Sequence, residues 1–485
     1  MQAIVRLSPE ISLKSKQVHT RFVNRLCSNM AAGAWALGLK LRLTRVWNRL
    51  IVESDDPTAI DYLARVFGIG SVSAVEHSCV PELEAMKEVA VEKYTAVVRG
   101  KTFCVRCKRN PNVRSFTSIE AEKELGAVLF GSSAGVDLTN PEVLIEVEVR
   151  PEGAFFFCER KKGPGGLPLG SEGRALSLIS GGFDSAVSSY LMMKRGVECD
   201  FVFFNLAGQA YERSVLSVIK ILCEGWSYGY NPQVYVVDFS NVVEELKLVT
   251  TDKYRQVVLK RAMVRSASRL AKSLGIQALI TGEAIGQVSS QTFTNLSVID
   301  QVSDLPVFRP LVSFDKEEII DLARKIGTFA ACSKVREYCS LVDRFPVTQA
   351  RVDKVAYEES FLSGISGEMD IPAPRRIAVK EIQPEYLTEE YVYTEKIPTN
   401  SVIIDTRPRD EFRTWHYPGS ENLDISYLLK LYGKLDKKKT YVLCCPFGLQ
   451  TALVAEKMQR EGYEAYSFRG GTRGLKAYAK TNGVN

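Results

Sequence analysis

Two short segments of this chain place reactive side chains at spacings that could do chemistry. In the first, Ser180-Gly181-Gly182-Phe183-Asp184-Ser185 follows an apolar run, Ala175 to Ile179, and precedes a helical pattern beginning near Ala186. A buried strand therefore ends in a glycine turn that opens a helix. The glycines let backbone N–H groups approach a phosphate, the serines add hydroxyl donors, and the helix N-terminus favours negative charge. The G-x-x-x-x-G-K-[ST] spacing of the common phosphate loop is absent. A plain tight turn of small residues is the competing reading, and six matched positions between strand and helix weigh against it.

The second segment is a thiol. Tyr441-Val442-Leu443-Cys444 reads as a buried strand, and Cys445-Pro446-Phe447-Gly448-Leu449-Gln450-Thr451 as a loop entering a helix. A cysteine at a strand end, ringed by loop amides and facing a helix N-terminus, is favoured as its thiolate. The same cradle would stabilise a persulfide. Side-chain alternation turns Cys444 into the core and leaves Cys445 as the nucleophile. Cys339, in Arg336-Glu337-Tyr338-Cys339, reads by itself as a small buried hydrophobe. Cys104-x-x-Cys107 sits on a strand pattern without a second pair, which argues against a metal site. Cys27, Cys79, Cys158, Cys199, Cys223 and Cys332 read as structural.

A third stretch follows another apolar strand: Thr281-Gly282-Glu283-Ala284-Ile285-Gly286-Gln287-Val288-Ser289-Ser290-Gln291-Thr292. Gly282 at the strand end admits a ligand, and Gln287 and Gln291 can hydrogen-bond it; a polar loop with no ligand fits its composition equally well. Lys260 and Arg261, on the preceding helix, could reach phosphates. Histidine is scarce, with only His19, His77 and His416. That scarcity weighs against His-ligated metals and a Ser–His–Asp triad.

The elements that must position these groups are legible in outline. A length of 485 residues suits about three or four domains. The first third alternates strand and helix as two small α+β units, at 1–57 and 58–165. From 166 to 345, near-continuous apolar strands alternate with amphipathic helices, which predicts a doubly wound parallel sheet with ligands at the strands' carboxyl ends. Residues 346–397 read as an irregular linker with one helix, and 398–485 as a compact α/β unit. Between Arg6 and Arg49 nine basic residues face one acid, Glu10, and Lys101 to Arg114 is basic without an acid. Such local excess suits a nucleic-acid backbone, although a solvated face explains any one cluster. No 18-residue apolar stretch suggests a membrane span, the first residues read as a strand, and eleven irregularly spaced cysteines point to a reducing cytoplasm.

The Ser-Gly-Gly-x-Asp-Ser turn resembles that of the PP-loop ATPases, which split ATP between its α and β phosphates. Nearly end to end, the chain resembles the tRNA 4-thiouridine synthetases, or tRNA sulfurtransferases, of the long type with a C-terminal rhodanese domain. The resemblance is carried by Leu7-Ser8-Pro9-Glu10-Ile11, Gly100-Lys101-Thr102-Phe103-Cys104-Val105-Arg106 and Leu178-Ile179-Ser180-Gly181-Gly182-Phe183-Asp184-Ser185. Thr281-Gly282-Glu283, Gly286 to Thr292, Asp405-Thr406-Arg407, Glu411-Phe412 and His416-Tyr417-Pro418-Gly419 match as well.

That resemblance implies N-terminal ferredoxin-like and THUMP domains docking tRNA, a PP-loop domain adenylating uridine 8, and a rhodanese persulfide delivering sulfur. It implies ATP contacts at Leu178, Ile179, Ser180, Gly181, Gly182, Ser185, Lys260, Gly282 and Gln291, with Mg2+ accompanying the nucleotide. It makes Asp184 the essential PP-loop aspartate, Cys445 the persulfide carrier and Cys339 its redox disulfide partner. It further implies a cysteine desulfurase as sulfur donor, a carrier protein of thiazole and thiamine synthesis as a second acceptor, and leaves room for a homodimer. The rhodanese loop departs from its relatives: Pro446-Phe447 stands where an arginine is common, so persulfide stabilisation must rest on amides and the helix end. Two alternatives stay open, a sulfur relay to a carrier protein only and a non-catalytic RNA-binding protein.

Overall fold

The computed structural model describes residues 1–46, 49–206, 208–335, 346–362, 373–387, 391–448 and 450–483. They form two compact units. The first holds Met1–Glu172 with Lys194–Val197 and Tyr228–Tyr230, and the second holds the rest.

In the first unit, strands β1 (Gln2–Leu7), β2 (Arg42–Val46), β3 (Arg49–Glu53) and β4 (Ile69–Val75) build an antiparallel sheet against helix α1 (Lys16–Ala36). Alternation along β1 explains the packing. Ala3, Val5 and Leu7 meet Phe22, Leu26 and Met30 of α1, while Ile4 faces the other way onto Phe155 and Phe157. A second sheet contains β5 (His77–Cys79), β6 (Thr102–Arg109), β7 (Gly135–Val136), β8 (Val143–Arg150) and β9 (Gly153–Phe157), with β6 parallel to both β7 and β8. Helices α2 (Leu83–Val89) and α3 (Ser118–Phe130) cover it, and a Thr117–Glu120 capping box opens α3. After β9, β10 (Lys161–Lys162) pairs back with β4, so the first sheet runs β10-β4-β1-β3-β2. That sheet therefore draws on residues both beyond position 57 and from the far side of the second sheet.

A buried charge cluster fixes the two sheets of this unit together. The Glu148 carboxylate of β8 meets Arg6 at 3.2 Å, Arg49 at 2.8 Å and Arg150 at 2.5 Å. Burial alone would raise the Glu148 carboxyl, but the arginines overcome it and hold the group below the usual carboxylate range. Its folded pKa thus lies below the unfolded one. Its contribution is present at neutral pH and is lost as pH falls through the folded value. Glu148→Gln leaves three cations crowded without their anion and is expected to destabilise this unit by about 3–5 kcal/mol. Thermal unfolding of the full chain at pH 7 measures it, and an unchanged midpoint would contradict it.

The second unit contains two sheets. The larger has β11 (Arg174–Leu178), β12 (Glu198–Asn205), β13 (Gln233–Asp238), β14 (Leu279–Ile280), β15 (Val307–Phe308) and β16 (Arg375–Ala378), in the order β15-β14-β11-β12-β13-β16. All neighbours are parallel except β13 and β16. Helices α4 (Phe183–Lys194), α5 (Gln209–Trp226), α6 (Asp252–Ser273), α7 (Lys316–Lys325) and α8 (Val352–Glu359) accompany it. The described residues within 346–397 are more than a connector: Glu359 on α8 takes a bidentate pair from Arg261, and β16 closes the sheet edge. Strand order reverses at β11, between β12 and β14, which puts the Ser180–Ser185 turn at a topological switch point.

The smaller sheet has β17 (Tyr393–Thr394), β18 (Val402–Asp405), β19 (Glu421–Asn422), β20 (Thr440–Cys444) and β21 (Glu464–Phe468), all parallel, in the order β17-β21-β20-β18-β19. Helices α9 (Gln450–Arg460) and α10 (Gly471–Thr481) follow the last two long strands. Among the described residues no helix is long and apolar enough to cross a membrane.

Candidate functional site

At the end of β11 the chain turns through Gly181, whose φ of 81° suits glycine. The hydroxyls hold the turn in shape. Ser185 Oγ donates to the Gly182 carbonyl at 3.0 Å and accepts from the Ser180 N–H at 3.3 Å, and Ser180 Oγ accepts from the Gly182 N–H at 3.4 Å. Ile179 N–H donates to Val202 on the neighbouring strand at 3.0 Å, so the turn starts from fixed backbone. Asp184, in the first turn of α4, accepts from Lys316 Nζ on one oxygen and Gln287 Nε2 on the other, both at 2.8 Å. The Asp315–Glu318 capping box starts α7 so that Lys316 projects from its first position.

The segment after β14 closes the opposite wall. A Cβ on Gly282 would lie 2.6 Å from the Asp184 carbonyl carbon and 2.7 Å from the Ser185 nitrogen. Gly282 is therefore the residue that lets this strand end touch the turn. Gly282→Ala is expected to force turn and strand apart, costing about 1–3 kcal/mol. Thermal unfolding of the full chain checks this, and an unchanged midpoint would contradict it. Farther along, Ser290 Oγ and Gln291 Oε1 are buried and find no hydrogen-bond partner among the described residues. Buried polar atoms are normally satisfied, and these two are exceptions among the described residues.

Lys260 on α6 reaches this wall indirectly. Its Nζ donates to Glu283 Oε1 at 2.9 Å, while Arg309 donates to Glu283 Oε2 at 2.7 Å and grips Asp300 with both terminal nitrogens. Burial would raise the Glu283 carboxyl, but Lys260 and Arg309 hold it at about 2. Glu283 is thus a fixed anion beside Gly282. Sequence reading did not find Arg309, Asp300 or Lys316. Only the capping-box start of α7 was readable, and nothing local foretold that its lysine would meet Asp184. Arg261 is committed elsewhere, buried against Glu359 and the Val298 carbonyl.

Cys445 follows β20 and is 2% exposed. Its sulfur accepts from the Gly448 N–H at 3.1 Å and from Thr451 Oγ1 at 3.4 Å. Gly471, at the start of α10, packs so closely that a Cβ there would lie 2.5 Å from the Gly448 nitrogen. Thr472 donates its N–H to the Cys445 carbonyl at 3.0 Å. Loop and thiol are held from two helices. Cys444 turns into the core with Ile403, Val442, Phe468 and Leu475, and burial pushes its thiol well up. This cradle of one amide, one hydroxyl and a helix start can stabilise a sulfur anion without any arginine in the loop. Phe447 is exposed at its rim.

Other candidates stay in structural roles. Arg407 is buried on Asp405 and the Trp415 carbonyl, and His416 stacks on Phe412. Cys104 and Cys107 are buried strand residues, and no group of three or more potential metal ligands occurs among the described residues. Cys445 is a free thiol here, and Cys339 lies outside the described residues.

A PP-loop-type nucleotide turn at the switch point of a mainly parallel sheet, combined with a rhodanese-type sheet presenting a cradled cysteine, defines a two-centre α/β protein. Family models match in sequence order: the ThiI ferredoxin-like domain at residues 2–73, the THUMP domain at 82–159, Thiamine biosynthesis protein (ThiI) at 170–363 and the rhodanese-like domain at 389–478. The chain is 36% identical to a tRNA sulfurtransferase of Thermoplasma acidophilum, over 96% of this chain and 94% of that one. It is 38% identical to a tRNA sulfurtransferase of Salmonella enteritidis, over 96% and 98%. Among solved structures, a 4-thiouridine synthetase–RNA complex with bound ATP matches 78% of this chain and 99% of its own, at 30% identity and a TM-score of 0.66. The chain belongs to the tRNA sulfurtransferase family.

Proposed function

We propose that the chain transfers sulfur from a Cys445 persulfide to uridine 8 of tRNA in an ATP-dependent reaction that gives 4-thiouridine. The observation that carries this is one unit holding both a preorganised phosphate turn and a cradled, free thiol. The related synthetase solved with RNA and ATP supports the substrates.

The chemistry accounts for both centres. A uracil carbonyl oxygen leaves poorly, whereas an adenylate leaves as AMP. Ser180, Gly181, Gly182 and Ser185 would hold the departing pyrophosphate, with Leu178, Ile179, Gly282 and Gln291 along the nucleotide and Lys260 acting through Glu283. Mg2+ would enter with the phosphates, and Asp184 is the carboxylate at the turn that suits it. The terminal persulfide sulfur then attacks C4, the C4–O bond breaks and AMP leaves, giving a Cys445–S–S–C4 link. A Cys339 thiolate attacks Cys445 Sγ, the S–S bond breaks, and the thiolated base departs as a Cys339–Cys445 disulfide forms. Two electrons from external thiols reduce that disulfide. If Cys339 attacks the persulfide first, the released sulfide attacks C4 and the same disulfide results.

A cysteine desulfurase supplies the persulfide, and the reaction belongs in the cytoplasm. Measuring AMP and pyrophosphate with and without tRNA tests the proposal. Release of both that rises with tRNA supports it, and release of neither would leave an RNA-binding protein. The match to Thiamine biosynthesis protein (ThiI) over residues 170–363 favours a second role, sulfur supply to a carrier protein for thiazole synthesis. Growth without thiamine that needs Cys445 but not Asp184 would separate the two roles.

A further inference from the structure

Helix α5 starts at the carboxyl end of β12, beside the phosphate turn. Tyr211 in its first turn donates to the Ser180 carbonyl at 3.2 Å, and a Cβ on Gly181 would lie 3.0 Å from Val215. Its N-cap is Gly208, at φ 86°, which has no side chain to offer the open N–H groups. The cap comes instead from helix α9, which packs on the rhodanese-type sheet. Glu456, midway along α9 and 3% exposed, accepts from the Gln209 N–H at 3.0 Å and from the Ala210 N–H at 3.4 Å, with Arg460 on its other oxygen at 2.6 Å. The fit is close: a Cβ on Gly208 would meet Glu456 Oε2 and Leu453 Cδ1 at 2.9 Å each. Ala210 is itself part of the core around Leu443, Ala452 and Ala455. Beside it Arg213 lies over the rings of Tyr386 and Tyr391 at 4.8 and 4.5 Å.

The helix that docks is also the helix that carries the thiol cradle. Thr451, which donates to Cys445 Sγ, is about 7.5 Å of helix rise from Glu456. We infer that Glu456 is a positioning residue, whose carboxylate caps α5 and latches the Cys445 helix to the nucleotide edge of its own chain, and so speeds delivery of sulfur from Cys445. A carboxylate at a helix N-terminus is favoured by both hydrogen bonding and the helix dipole, and its burial makes the contact selective for charge. The inference rests on Cys445 as the sulfur carrier.

The test uses the full chain carrying Glu456→Ala or Glu456→Lys, with Glu456→Gln as the isosteric control. Glu456→Lys is expected to slow single-turnover transfer from the loaded persulfide to tRNA at least tenfold. Persulfide loading from thiosulfate and tRNA-dependent AMP formation should stay within twofold of wild type. Amide exchange at Gln209 and Ala210 should quicken in step, Glu456→Gln should fall between, and added sulfide should restore thiolation. Should Glu456→Lys fail to fold, Glu456→Gln with Arg213→Ala must show the same split. Transfer at the wild-type rate in folded variants, or slow transfer with unchanged exchange at Gln209 and Ala210, overturns the latch alone. Normal thiolation by Cys445→Ala overturns the sulfur-carrier reading and the latch with it.

Discussion

Cys445→Ala is expected to lower persulfide-driven thiolation of tRNA by roughly a thousandfold or more while leaving AMP formation unchanged. The sulfur of Cys445 is the acceptor for the Gly448 amide and the Thr451 hydroxyl, and its loop is pinned by Thr472. Alanine keeps the buried volume nearly intact but removes the atom proposed to carry the sulfur. Cys444 cannot substitute, because it points into the core and burial keeps its thiol protonated. Thiolation measured with a desulfurase as donor, alongside AMP release, separates the two centres. Added sulfide should restore thiolation in the variant, since it bypasses the missing carrier. Thiolation from the desulfurase at the wild-type rate would contradict the assignment.

Asp184→Asn should have the opposite signature, with tRNA-dependent AMP formation reduced by about a hundredfold or more and persulfide loading on Cys445 preserved. The carboxylate is gripped by Lys316 and Gln287, so an amide there removes a charge from the mouth of the phosphate turn and releases Lys316. Structure should survive, because Asp184 is a helix-start residue outside the apolar core. AMP release under single turnover measures the loss, and a thiosulfate assay measures the intact thiol. If both activities fell together, the two centres would not be independent and the separation proposed here would fail.

How much of this was legible in the residues varies by element. The phosphate turn was readable because strand, glycine turn and helix are contiguous, and local sterics dictate the rest. Cys445 was readable for the same reason, and strand alternation separated it from Cys444. What the sequence could not disclose are meetings between distant segments. Lys316 with Asp184, Arg309 with Glu283, and Glu456 with the start of α5 join residues far apart in the chain, and no local pattern marks them. In sequence the segment 346–397 resembles a linker because its prolines hide β16, an edge strand that needs only a few residues to pair with β13. The first sheet drew in β4 and β10 for a similar reason: β-pairing is non-local, and a short strand carries little signal by itself.

The central claim is that ATP cleaved at the Ser180–Ser185 turn exposes a tRNA base to sulfur carried on Cys445. Its most direct measurement loads the full-length enzyme with one equivalent of ³⁵S as persulfide, then adds tRNA with or without ATP in a single turnover. Label should appear in tRNA as 4-thiouridine at position 8 only when ATP is present, in step with one AMP per sulfur, and Cys445→Ala should carry no label at all. Label reaching tRNA equally without ATP, or AMP formed with the label still on Cys445 after the tRNA is consumed, would contradict it.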